Sequence, residues 1–224
     1  MAKKRKKKKS RKKNKWFKWA KAKRSRRIYI FVLLLFVSLI ASTALMSQSM
    51  TARRDRITLK KKKQAQEQQL ETWAPYAQKM QAKYHIFASI SLAQAILESN
   101  WNQSTLSKDY NNLYGIKAAD NQQGVVIPTQ EYENGQWITV DQKFASYKNW
   151  QSSMEAHARL ISQGTQWNAN QYEHVIAAKD FKAASQALVQ DGYATDPTYA
   201  EKLVQVIEHW YLQRFDLSVK GGKQ

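Results

Sequence analysis

The sequence predicts a mainly helical α+β domain built around one small β-hairpin and preceded by a single transmembrane helix. Three observations carry that expectation: a 19-residue run without charge near the N-terminus, apolar residues at helical spacing through much of residues 73 to 217, and strand-like alternation around Asn134-Gly135.

Residues 1 to 27 form a basic tail, with 17 Lys and Arg between Lys3 and Arg27. The run IYIFVLLLFVSLIASTALM, Ile28 to Met46, follows it. At ~1.5 Å per residue this run matches the hydrocarbon thickness of a bilayer. The positive-inside rule keeps the tail in the cytoplasm and sends the rest of the chain out. Residues 28–47 are therefore expected to be a type II signal anchor in the cell membrane. A cleaved secretory signal is the alternative, since Ala41 to Ala44 offers small residues; the lengths of the apolar run and of the basic block favour retention. Residues 48–72 are rich in Lys and Gln, lack Pro and Gly, and read as a polar stalk. Residues 73–217 are long enough for one compact extracellular domain, and 218–224 form a tail.

The formal charge of +20 invites a nucleic-acid partner, but its distribution argues against one. Residues 1–72 hold 24 of the 37 bases and only Asp55, Glu67 and Glu71 as acids, so the outer domain has 13 bases against 14 acids. Without cysteine there are no disulfides, zinc thiolates or thiol nucleophiles. His85, His157, His174 and His209 show no metal-ligand spacing. No metal and no cofactor are expected, and a monomer is assumed.

Within the outer domain, Trp73 to Tyr84 reads as a short helix. The next helix carries Ile90, Ala93, Ile96 and Leu97 on one side, with Ser89 or Ser91 as cap, and stops just after Glu98. A carboxylate there meets unpaired carbonyls and the negative end of the helix dipole, and apolar neighbours add a desolvation cost. Both raise its pKa, which suits a general acid; a solvated Glu at a frayed helix end is the plainer alternative.

Between Gly124 and Tyr147, two strands flank Asn134-Gly135, a pair favoured by type I′ turns. That turn sets Glu133 opposite Gln136, Tyr132 opposite Trp137, Glu131 opposite Ile138 and Thr129 opposite Val140. Glu131 then shares a face with Ile138 and Val140, a carboxylate among apolar side chains. Pro128 marks an edge strand. Helices follow over Asn149 to Gln163, with Trp150, Met154, His157 and Ile161 on one face, and over Asp180 to Gln190. The last helix opens on Asp196-Pro197.

The segments AQAILESNWNQS, NNLYGIK, TQEYENGQWITVDQKFASY and GYATDPTYAEKL resemble the bacterial glucosaminidases of glycoside hydrolase family 73, which include autolysins and flagellar peptidoglycan hydrolase domains. The resemblance runs from about Tyr76 to Leu212. It implies a lysozyme-like fold that hydrolyses the β-1,4 bond between N-acetylglucosamine and N-acetylmuramic acid, with peptidoglycan glycan strands as partner. It assigns the general acid to Glu98, a second carboxylate to Glu131, and substrate positioning or catalysis to Tyr193.

Trp101, Tyr114, Trp137 and Tyr147 join Tyr193 as aromatics able to stack on sugar faces, and Asn112 could bind an acetamido group. Asn111 and Gly115 fit a structural role, and Trp150, Trp167 and Trp210 fit the core. A lytic transglycosylase and a non-catalytic peptidoglycan-binding scaffold remain the competing expectations.

Overall fold

The computed structural model describes residues 2–119, 121–133 and 136–218, with side chains throughout except at 2–32, 40, 41, 130–133 and 137. The chain divides into two compact units, Met1–Lys63 and Gln64–Gln224. Helix α1 spans Ala2–Tyr84. In the first unit, Leu33 to Val37, Leu39, Leu45 and Met46 are each more than half exposed. By length and composition the helix can cross a membrane. Residues 48–72 are helical because Lys, Gln, Glu and Ala all favour a helix and no Pro or Gly interrupts them. Trp73 to Tyr84 is thus the end of α1 rather than a separate helix. Leu70 and Trp73 are both fully buried, so the core of the second unit begins before Trp73.

The second unit continues with α2 (Ala88–Ser99), α3 (Thr105–Tyr110), β1 (Gly124–Glu133), β2 (Gln136–Ala145), α4 (Trp150–Gln163), α5 (Glu173–Ala177), α6 (Phe181–Gln190), α7 (Tyr199–Trp210) and a 3₁₀ turn at Leu212–Phe215. It is mostly helical with one small antiparallel sheet, as expected. Helices α3 and α5 and the 3₁₀ turn were not anticipated, because elements this short hold too few residues for a period to show.

Helix α2 is the centre of this unit. Every residue from Ala88 to Ile96 is buried, and the helix packs on α6, α7 and the 3₁₀ turn, which explains why it is apolar on nearly every side. Its N-terminus is not capped by Ser89 or Ser91. Asp216 does that work from the far end of the domain: its carboxylate accepts the Ser89 N–H at 2.8 Å and the Ser89 hydroxyl at 2.7 Å, while Gln81 Oε1 accepts the Ala88 N–H at 3.2 Å. A negative charge at this end also complements the helix dipole.

Beyond Ser99 the chain turns through three consecutive left-handed residues, Asn100, Trp101 and Asn102, at φ 48°, 61° and 59°. Helices α4 and α6 begin one residue after the expected Asn149 and Asp180, which serve instead as their caps, Asn149 accepting from Ser152 N and Asp180 from Ala183 N. Helix α7 begins two residues later than its Pro signal. The Asp196 carboxylate accepts the Thr198 N–H at 2.8 Å and holds a preceding turn, from which Tyr199 enters the helix.

The hairpin has the expected register, with Thr129 paired to Val140, Glu131 to Ile138, Tyr132 to Trp137 and Glu133 to Gln136. Its Asn134-Gly135 turn lies outside the described residues. At the base, Gly124 lies so close to the Phe144 carbonyl that any Cβ would collide with it. Ala145 is buried and donates its N–H to Ile116 O at 2.9 Å, tying the hairpin to the loop that follows α3.

Candidate active site

A cavity of about 640 Å³ lies among the end of α2, the Tyr114–Lys117 loop, the α4–α5 loop and the segment from Tyr193 to Tyr199. Glu98 reaches it from the last turn of α2. Gln94 and Glu98 stand one helical turn apart on that helix, and both meet Tyr199, the first residue of α7. Tyr199 Oη donates to Glu98 Oε1 at 2.7 Å and accepts from Gln94 Nε2 at 3.2 Å. Glu98 keeps an exposed edge towards the cavity, yet the protein crowded around it makes desolvation its dominant influence. Its pKa is raised by that desolvation, against a smaller opposing pull from the Tyr199 hydrogen bond. The exposed edge lets a ligand reach the carboxyl, and the crowding sets its proton affinity. Tyr199 itself is held protonated by burial and then by the Glu98 charge.

Tyr193 also lines the cavity, with its ring 6.0 Å from that of Tyr199. Burial, followed by Tyr199 and Glu98, keeps its hydroxyl protonated. Tyr114 contributes a ring to the wall while its hydroxyl donates to Ser91 O at 3.2 Å. Behind it, His157 stacks on Tyr114 at 3.9 Å and meets Tyr193 edge-on at 6.0 Å. The His157 ring is fully buried and, among the described residues, neither nitrogen has a hydrogen-bond partner. Burial pushes its pKa down to about 3, so the imidazole is neutral.

The remaining sequence candidates are placed differently. Asn112 is buried beneath the loop: its Nδ2 donates to Ile116 O and Ala145 O, both at 2.9 Å, and its Oδ1 accepts from Ile116 N at 3.0 Å and Tyr114 N at 3.4 Å. Trp101 packs edge-on against Trp210 at 4.8 Å and does not line the cavity. Tyr147 is half-buried outside it, its hydroxyl pKa pushed up to about 12 by burial, and its carbonyl accepts from Asn111 Nδ2 at 3.0 Å. The side chains of Glu131 and Trp137 lie outside the described residues; their backbone pairing is as given above.

Tyr199, Gln94 and Trp167 were not among the sequence candidates. A Gln and a Glu four residues apart in an otherwise apolar helix signal a shared polar partner, but nothing local says which residue supplies it. Trp167, expected in the core, is 83 % exposed and borders the cavity. Its neighbours Thr165 to Gln171 carry no apolar period that could bury it, and that was the available signal.

The arrangement delivers one carboxyl with raised proton affinity, a phenol donor that stabilises the carboxylate left after proton transfer, and a second phenol, from Tyr193, facing the same space. That is the equipment of a general acid.

The sequence profile named Glucosaminidase, described as mannosyl-glycoprotein endo-beta-N-acetylglucosaminidase, matches residues 74–212. The chain is 40% identical over 147 residues to exo-glucosaminidase LytG of Bacillus subtilis (strain 168), a match covering 66% of this chain and 52% of that protein. It is 38% identical over 140 residues to a probable N-acetylmuramidase of Lactococcus lactis subsp. lactis (strain IL1403), covering 61% of this chain and 32% of the other. The matched region thus spans about half or less of these relatives' lengths. Among solved structures, the catalytic domain of the autolysin Auto from Listeria monocytogenes superposes with a TM-score of 0.62 at 34% identity, covering 67% of this chain and 87% of that one.

Proposed function

Because the chain belongs to the glucosaminidase family, we propose that it is a membrane-anchored peptidoglycan hydrolase of lysozyme-like fold, cleaving the β-1,4 bond between N-acetylglucosamine and N-acetylmuramic acid. The observation that carries this reading is Glu98, its proton affinity raised by desolvation and its carboxyl held by Tyr199 in an open cavity. Glu98 protonates the departing glycosidic oxygen. Tyr199 then holds the resulting carboxylate, and Tyr193 positions the sugar. Glu131 serves as base or electrostatic stabiliser from the hairpin.

Two carboxyls about 5 Å apart would retain the anomeric configuration, and ~6.5–9.5 Å would invert it. The substrate's own acetamido oxygen is the other available nucleophile. Wall remodelling or cell separation is the role that fits this chemistry.

The relatives' names pull towards different bonds, glucosaminidase in one and muramidase in another, so the products decide. Full-length protein in detergent, incubated with purified peptidoglycan, is expected to release reducing N-acetylglucosamine ends by mass spectrometry. Reducing N-acetylmuramic ends would make it a muramidase and anhydromuramic ends a lytic transglycosylase. Binding without release would make it a scaffold.

For the anchor, the supporting features are the exposed apolar residues of α1 and the basic block before them. External protease on intact cells is expected to remove the second unit and spare residues 1–27. Release of the intact protein by a high-salt wash would overturn the anchor.

A further inference from the structure

Trp167 combines high exposure with a place on the cavity that holds Glu98. Isolated exposed apolar residues are ordinary. This one is distinguished by its support.

Gly164, at φ +73°, starts the loop where any Cβ would collide with Asn168 O and Ala169. Thr165 N donates to Asn168 O at 2.9 Å, Asn168 N to Thr165 Oγ1 at 3.1 Å, and Asn170 N to Asn168 Oδ1 at 3.0 Å. Gln171 Nε2 then ties the loop to Asp191 O. The indole is carried on a locked turn, so its exposure is built into the backbone. Thr195 and Asp196 border the same cavity. A broad apolar plate beside polar groups is the arrangement that suits a pyranose ring, whose C–H face packs on an aromatic while its hydroxyls take hydrogen bonds.

We propose that Trp167 is a sugar platform: its indole stacks on one N-acetylhexosamine ring of the bound strand and fixes that ring relative to the bond Glu98 protonates. The assignment rests on the glycosidase reading above. Trp167 is a positioning residue, with no part in proton transfer.

The test uses full-length protein in detergent and N-acetylglucosamine oligomers as probe, with affinity measured by calorimetry in the Glu98→Gln background to prevent turnover. Trp167→Ala is expected to weaken binding about tenfold, the scale of losing one stacked aromatic contact. Trp167→Tyr should restore most of it. In the active protein, Trp167→Ala should raise KM on oligomers while changing kcat less than about twofold, and its melting temperature should match the parent. Unchanged affinity in Trp167→Ala, or Tyr no better than Ala, overturns the platform. If the parent binds no oligomer at all, the platform falls, while release of reducing ends from peptidoglycan decides the glycosidase reading separately; if the parent binds and only the Trp167 variants fail to differ from it, that reading survives alone.

Discussion

Glu98→Gln lowers turnover of peptidoglycan by about 10³-fold, within the range that general-acid catalysis contributes, with a melting temperature at neutral pH no lower than the parent's. The side chain keeps its shape, its Oε1 can still accept from Tyr199, and a neutral amide escapes the desolvation that raises the Glu98 pKa, so the fold loses nothing. What disappears is the proton. Tyr199→Phe is the informative companion. The Tyr199 hydrogen bond lowers the Glu98 pKa against a larger upward push from desolvation, so removing it moves that pKa further up. A rate that needs protonated Glu98 falls as pH rises through its pKa. The alkaline limb of kcat/KM therefore shifts to higher pH in Tyr199→Phe. A full-rate Glu98→Gln protein would show that another group supplies the proton. An unshifted limb would remove Tyr199 from the proton's control.

Asn112→Ala costs about 3 kcal/mol, because it takes the Asn112 bond from the Ile116 N–H and the Ala145 carbonyl and leaves the Ile116 carbonyl with only the Ala145 N–H. For a domain of this size that is a fall of roughly 6–12 °C in melting temperature. The same bonds fasten the base of the hairpin to the Tyr114–Lys117 loop that walls the cavity, so activity should drop even below the melting transition. Asn112→Asp discriminates between bulk and bonding. It retains the Oδ1 acceptor but turns a donor into a charge facing two carbonyl oxygens, and should be at least as damaging. A melting temperature within a degree of the parent for both variants would refute the bonding account.

What the sequence made legible was local. The end of α2 at Glu98, the starts of α4 and α6 to within a residue and the full hairpin register follow from side-chain period and a two-residue turn. The parts it withheld depend on residues far apart in the chain. Asp216 caps a helix that begins 128 residues earlier, and nothing near Ser89 announces it. Tyr199 lies on the apolar face of α7 and reads as core until α2 is packed against it. Asn112 carries an amide suited to an acetamido group, whereas that amide is spent on Tyr114, Ile116 and Ala145. Trp167 was misplaced for the opposite reason: its size suggested burial, and only the tight Gly164 turn decides its direction.

The imidazole of His157, without a hydrogen-bond partner among the described residues, gives the cavity wall an acid limit. Its proton affinity is far lower in the fold, at about 3, than in an unfolded chain, at about 6.5, so protons act as ligands of the unfolded state. Above pH ~6.5 both states hold a neutral ring and stability is complete. Below that, each pH unit removes about 1.4 kcal/mol until the folded ring itself takes up a proton. Thermal melts at pH 7 and pH 5 should show the loss, and His157→Phe should flatten it. Acidification therefore acts twice on this domain, loosening its fold through His157 while favouring the protonated form of Glu98.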